Sequence, residues 1–236
     1  MSPILVLTRP EPEASRFAEA LFAAWGQSCE VLRAPAFRIV PVEVSEDLSG
    51  TDHVVLTSAN GVRQLDRLDI PKAATAWCVG NRTAEEARAV GFEARSAGGD
   101  AADLVALIAE AAPRGRMVHV SGRHTRGDVA GRLRAMGLDC RAVVAYEQVE
   151  EPPTAALLGA MQGNRPLVAP VFSPRSTLSL MVANRTAPLH VIAMSGAVAQ
   201  AVEGLDADTV RVARQPDGPA MKDATLEVLG RLVDMP

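Results

Sequence analysis

Lysine is almost missing from this chain of 236 residues: Lys72 and Lys222 are the only two, so nearly all of its basic charge is arginine. Arginine is the better bidentate partner for carboxylates, although a genomic bias in base composition explains the imbalance more simply. Basic charge of either kind is also in deficit, with a net charge of -4 and a pI near 5.6. A protein that holds nucleic acid normally carries a basic face, so a nucleic-acid partner is not expected, while local positive pockets remain open to it. Cysteine is scarce as well. Cys29, Cys78 and Cys140 form no C-x-x-C pair, which excludes a disulfide framework and a zinc site and fits a reducing compartment. Long apolar runs are absent from the amino terminus, where only Ile4 to Leu7 precede Arg9. That is too short for a secretion signal and far too short to cross a bilayer, so no membrane partner and a cytoplasmic location are expected. In that location Asn81-Arg82-Thr83, Asn184-Arg185-Thr186 and Arg126-Gly127-Asp128 are chance matches to glycosylation and adhesion motifs.

What is present is a folding composition, 48% apolar and 22% charged, enough for one large or two small folded domains. The apolar runs recur in a pattern. Leu56-Thr57-Ser58-Ala59-Asn60 has a counterpart in Phe172-Ser173-Pro174-Arg175-Ser176, and Ala76-Trp77-Cys78-Val79-Gly80 is echoed by Val191-Ile192-Ala193-Met194-Ser195. A first unit reads as strand Ile4 to Leu7, a helix from Glu11 to Trp25 ended by Gly26, strand Cys29 to Leu32 and an extended stretch Ala36 to Val40. Arg116 to Gln148 repeats it: strand Met117 to Val120, a turn at Ser121-Gly122, a helix through Leu133 to Met136, then strand Cys140 to Tyr146. A second kind of unit begins at His53 to Leu56, turns at Thr57 to Gly61 and carries a short helix through Val62 to Leu68. It continues with strand Ala76 to Val79, a helix Ala84 to Val90 opened by Gly80-Asn81-Arg82-Thr83, strand Glu93 to Ser96 and helix Ala101 to Ala111. The stretch from Leu167 to Leu232 repeats that order.

Strands alternating with helices predict α/β architecture with doubly wound parallel sheets in two similar modules. The modules could form from consecutive units or by exchange of the middle pair, and periodicity leaves both open. Ala36 to Val44 and Val143 to Glu151 are extended, proline-bounded segments suited to bridging them. Each repeat ends a strand on small hydroxyl or glycine residues where a helix starts. Such turns present unpaired amides and hydroxyls to an anion, which places the expected site between the modules.

Several chemistries are excluded by what the motifs lack. Gly122 to Gly127 resembles a phosphate loop, but Asp128 follows where lysine is needed. No G-x-G-x-x-G follows a strand, so a dinucleotide site is unsupported. His53, His119, His124 and His190 show no metal-ligand spacing; three adjoin apolar runs and read as structural, leaving His124 in a loop. The cysteines read as small core residues, and no G-x-S-x-G elbow accompanies Ser58, Ser121, Ser173 or Ser195. These serines read as binders or helix caps, roles that overlap at a strand's carboxyl end. Tyr146 is the only tyrosine. With an ordinary pKa of about 10 its phenol can donate a proton near neutrality, or simply mark a domain edge.

Taken together, Leu7-Thr8-Arg9-Pro10, Val54 to Val62, Val79-Gly80-Asn81-Arg82-Thr83-Ala84 followed by Gly91-Phe92, and Val144-Ala145-Tyr146-Glu147 resemble the uroporphyrinogen-III synthase family. Phe172 to Ser176 and Ile192 to Ala201 extend the likeness through the carboxyl half. The resemblance implies two similar α/β domains, joined by a two-stranded linker. The first is discontinuous, residues 1–38 plus 149–236, and the second is residues 39–148, which selects exchange of the middle pair. It implies that hydroxymethylbilane, a linear tetrapyrrole, is dehydrated and cyclised with inversion of ring D to uroporphyrinogen III. Neither cofactor nor metal is implied, and the working unit is expected to be a monomer. By motif position Thr57, Ser58, Asn60, Thr83, Ser173 and Ser195 match substrate-binding positions, Arg9 and Arg175 are carboxylate partners, and Tyr146 matches the proton donor. Ser195 stands where glycine is common, and Val198 where a threonine like Thr83 is common. The competing expectation is a two-lobed module that binds an acidic small molecule without reacting.

Overall fold

Four consecutive aliphatic residues, Ile4–Leu7, are buried on both sides and form β1, as a central strand of a parallel sheet requires. A computed structural model describes residues 2–125 and 127–233; Arg126, from the adhesion-like triplet, lies outside the described residues. After β1 come α1 (Glu13–Trp25), β2 (Glu30–Arg33), β3 (Phe37–Pro41), β4 (His53–Leu56), α2 (Ala59–Val62) and β5 (Thr75–Cys78). Then follow α3 (Asn81–Ala89), β6 (Glu93–Ser96), α4 (Ala101–Ala111), β7 (Met117–Gly122), α5 (Val129–Ala135) and β8 (Cys140–Glu150). The chain ends with α6 (Ala155–Met161), β9 (Leu167–Val171), a 3₁₀ helix (Pro174–Leu180), β10 (Leu189–Ala193), α7 (Gly196–Ala201), β11 (Thr209–Val212) and α8 (Gly218–Val233).

These elements divide into two compact units, residues 1–38 with 150–236 and residues 39–149. The chain passes from one unit to the other twice, within β3 and within β8, which are neighbours in a sheet. Val42 N–H donates to the Ala145 carbonyl and Glu151 N–H to that of Ala36, so this linking pair runs antiparallel.

The first unit holds a five-stranded sheet in the order β2-β1-β9-β10-β11, parallel throughout. The second holds β8-β7-β4-β5-β6, also parallel, with β3 added beyond β8. The spatial order is therefore the same in both sheets, but the second is entered by the chain at its middle. One sheet is a circular permutation of the other.

Each sheet is covered on both faces, the doubly wound arrangement. Ile4 and Val6 pack into one apolar layer with Leu157, Met161 and Val198, while Leu5 and Leu7 pack into the opposite layer with Phe17, Leu21 and Met221. In the second unit Val54 and Leu56 face Val62, Ala84 and Phe92, and Val55 faces Leu104, Ile108 and Leu133. Burying each such side chain contributes roughly 1.5–3 kcal/mol relative to leaving it exposed. Among the described residues no helix is long and apolar enough to cross a membrane.

Four local readings are corrected. The first helix begins at Glu13 rather than Glu11, because Pro12 takes the position just before it. The helix expected over Val62 to Leu68 is α2 followed by a separate 3₁₀ turn at Leu65–Arg67. α3 starts at Asn81 rather than Ala84: extended Gly80 precedes it, and nothing from Asn81 to Thr83 breaks a helix. Ser121-Gly122 is not a turn but the end of β7, where a β-bulge pairs Ser121 with Val144 and Gly122 with Tyr146.

Candidate active site

In an open parallel sheet, ligand crevices form at the carboxyl ends of two neighbouring strands whose crossovers leave in opposite directions. In the second unit the winding reverses between β4 and β7, and in the first between β1 and β9. Both edges are built from the residues with which those strands end.

At the β4 edge, Thr57 and Ser58 leave the strand and Ser58 caps α2, its Oγ accepting from the Asn60 amide at 3.1 Å. The Asn60 side-chain oxygen accepts from Arg63 at 2.8 Å, and Arg63 reaches on to Glu86 at 3.2 Å. Arg63 thus ties Asn60 and α2 to α3. Thr83 lies in the first turn of α3, past the end of β5, and is buried. Tyr146 comes to this edge from β8. The bulge opposite Ser121 and Gly122 re-aims the strand, and the phenol pairs with the Ser58 side chain and the Gly122 backbone. Burial pushes the phenol's pKa up against the pull of those two hydrogen bonds, so it carries its proton near neutrality. The ring lies against bare backbone. A β-carbon on Gly122 would stand 2.7 Å from Cε2 and 2.9 Å from Cζ of Tyr146.

His119, on β7 beside β4, places Nε2 3.3 Å from Thr57 Oγ1. It is 3% exposed, and burial, opposed by the Asp128 charge, pushes its pKa from 6.5 down to about 4. The imidazole is neutral near pH 7. The unfolded chain takes up this proton near pH 6.5 and the folded chain resists until about 4. The resulting stability is present above the higher value and drains away as pH falls through the interval, by about 1.4 kcal/mol per unit. Urea unfolding at pH 7 and at about pH 5 is expected to show this loss in the wild type and a smaller one in His119→Gln; equal losses contradict it.

At the β1 edge of the other unit, Arg9 stacks its guanidinium 4.0 Å above the Phe172 ring, which itself meets Phe17 edge-on at 5.1 Å. Cation–π stacking of this kind fixes a guanidinium's plane. Thr8, just before it, is fully buried and its Oγ1 has no partner among the described residues. Ser173 follows β9 and caps the 3₁₀ helix, pairing with the Ser176 hydroxyl at 2.8 Å. Arg175, in that helix, lies 5.6 Å over Phe37 and 3.9 Å from Glu150. Ser195 precedes α7 at the end of β10, without a side-chain cap bond.

Thr57, Ser58, Asn60 and Tyr146 are thus gathered at one edge, with Thr83 one strand further along; Arg9, Ser173 and Arg175 are gathered at the other, with Ser195 one strand on. Two residues of the β4 edge carried no motif signal. His119 sits in an apolar run and reads as core, and Gly122 reads as a turn; only the bulge reveals what it faces. His53 and His190 are tied into the scaffold through the Arg114 carbonyl and Thr209, and His124 is exposed. Burial pushes the thiols of Cys78 and Cys140 up to about 12 and about 11, offset in part by Arg88 and by Arg134. They stay protonated, as core residues do. Among the described residues no group of three or more His, Cys, Asp or Glu side chains could hold a metal ion.

No curated protein matches the sequence. The structure is similar to a crystal structure of uroporphyrinogen-III synthetase from Helicobacter pylori, with a TM-score of 0.67, 14% identity and coverage of 97% of this chain and 100% of that one. It is also similar to a mutant uroporphyrinogen III synthase from Thermus thermophilus, with a TM-score of 0.51, 17% identity and coverage of 98% and 99%. At such identities these likenesses speak for the two-domain α/β fold. The sequence itself matches the family model described as uroporphyrinogen-III synthase HemD over residues 16–223. A match over most of the chain, from the β4 edge through Ser173 and Arg175, favours the enzymatic reading over a non-reacting binding module, and the chain belongs to the uroporphyrinogen-III synthase family.

Proposed function

We propose that the two switch-point edges supply donors to the acetate and propionate groups of hydroxymethylbilane and that Tyr146 protonates its departing hydroxyl. The family to which the chain belongs comprises lyases of tetrapyrrole biosynthesis, which dehydrate and cyclise hydroxymethylbilane to uroporphyrinogen III. The family match over residues 16–223 carries the reaction; the clustering of Tyr146 with Ser58 and Thr57 supports the residue roles.

The chemistry asks for placement more than covalent help. When the hydroxymethyl C–O bond breaks, the Tyr146 proton leaves with the oxygen as water, and a phenolate and an azafulvenium cation that keeps its pyrrole N–H remain. The terminal ring attacks through its substituted carbon, and the spiro intermediate then fragments and recloses with that ring inverted. The proton released as the pyrroles regain aromaticity restores the phenol, so water is the only by-product. Holding a flexible chain in the reactive shape can lower a barrier by roughly 7–11 kcal/mol in favourable systems. Acid assistance adds about 10²- to 10⁴-fold.

A polyanionic substrate suits a net acidic protein when donors are local. Arg9, Arg175, Thr57, Ser58, Asn60, Thr83, Ser173 and Ser195 are assigned to the carboxylates, each charge-assisted bond contributing about 1.5–3 kcal/mol. Three unpaired cysteines, two of them buried, support a reducing cytoplasmic setting. A monomer suffices, because both edges lie in one chain.

Incubation with freshly generated hydroxymethylbilane, followed by separation of isomers, tests the reaction. Uroporphyrinogen III is the expected product. Recovery of the uninverted isomer I alone, as the bilane forms unaided, contradicts the reading; bilane retained unchanged points to a binding module instead.

A further inference from the structure

We propose that His119 is a positioning residue whose Nε2–H donates to Thr57 Oγ1 and so leaves the Thr57 hydroxyl proton for a substrate carboxylate. The proposal rests on the assignment of Thr57 to carboxylate binding made above. It begins from a misfit. Alternation along β7 puts His119 on the face of Met117, whose layer holds Val55, Trp77, Leu133 and Cys140. A polar ring in such a layer is unfavourable unless hydrogen-bonded, and an aliphatic residue would suit the packing better. The hydrogen bond His119 makes there goes to Thr57, the first residue beyond β4.

The direction of that bond follows from the ligand. A neutral imidazole has one N–H and one bare nitrogen. Were Nε2 the bare one, Thr57 would spend its only proton on the ring and could offer a carboxylate nothing but lone pairs. With the hydrogen on Nε2, Thr57 accepts from below and donates outward. The groups facing His119 leave this arrangement intact. Asp128 caps α5, its carboxylate accepting from Gly131 at 2.8 Å, and Cys140 keeps its thiol proton. Register holds the geometry in place, since His119 stands level with Val55 in the β4–β7 ladder, two residues short of Thr57.

The test compares His119→Leu, which keeps volume but has no N–H, with His119→Gln, whose amide N–H extends to about the reach of Nε2. KM for hydroxymethylbilane is expected to rise about tenfold in the leucine variant with kcat little changed, and to stay within about twofold of wild type in the glutamine variant. Thr57→Val is expected to raise KM as much as His119→Leu, and the double variant no further. Equal KM values for the leucine and glutamine variants, or additive effects in the double variant, overturn the proposal. A measurement independent of activity is the tautomer of His119, read from imidazole ¹⁵N shifts. The Nε2–H form is expected, and the Nδ1–H form refutes the proposal even in an active enzyme. If the wild type makes no uroporphyrinogen III, the functional reading fails while the tautomer still decides the direction of the bond.

Discussion

Replacing Tyr146 with phenylalanine is expected to lower turnover of hydroxymethylbilane by tenfold or more while leaving KM within about twofold. The ring keeps its place on Gly122 and in the β8 strand, so only the phenolic oxygen and its pairings with the Ser58 side chain and the Gly122 backbone are lost. Ser58 still caps α2 through the Asn60 amide, and the net loss of two hydrogen bonds costs about 1–3 kcal/mol of stability. A loss of turnover with unchanged KM marks an interaction made only in the transition state. Steady-state kinetics with isomer separation checks it, and unchanged turnover removes the phenol from the mechanism.

Gly122→Ala reaches the same oxygen from the other side, with a larger effect. The new methyl group would sit inside the van der Waals shell of two Tyr146 ring carbons, so the ring must leave or the β7–β8 pairing must give. Overpacking of this kind costs about 1–3 kcal/mol, a fall in Tm of about 2–4 °C for each kcal/mol in a chain of this length. Turnover is expected to fall at least as far as in Tyr146→Phe, and combining the two substitutions should add little to that fall. Because Tyr146 is the only tyrosine, phenolate absorbance reports on it alone. Its titration is expected above the ordinary value in the wild type, held there by burial, and to move back down in Gly122→Ala as the ring meets solvent. A titration that does not move shows the ring still in place and contradicts the steric argument.

Apolar runs closed by glycine and hydroxyl residues made the strands and the α/β class legible, with most edges displaced by about one residue but β7 running on to Gly122 and β8 to Glu150. Ile4 to Leu7 and His53 to Leu56 read directly, because buried parallel strands are continuous aliphatic stretches. Gly26, Gly91 and Gly137 marked helix ends, and each has the positive φ that such an end requires. What escaped was decided by neighbouring strands. The bulge at Ser121 and Gly122 exists only as a mismatch of two ladders, and neither strand alone records it. Thr83 looked like a residue ahead of its helix, whereas Gly80 had already turned the chain and carried it inside. His119 was hidden by its company: an apolar run predicts burial equally well for a silent core residue and for one that supports a site from beneath. The pattern of units left two pairings open, and the sheet order shows why, since both sheets share one blueprint and differ only in where the chain enters.

That shared blueprint sets the order in which the protein can be completed as it leaves the ribosome. The permuted sheet lies in one uninterrupted stretch, residues 39–149, and has all its strands once β8 has emerged. The other must wait. Until β9 is synthesised, β1 lacks one of its two neighbours, and the edge that will meet Leu167 and Val168 stays uncovered. An aliphatic parallel strand with an open edge is a template for misassembly, so nascent chains halted between the two stages should be the species most in need of a chaperone.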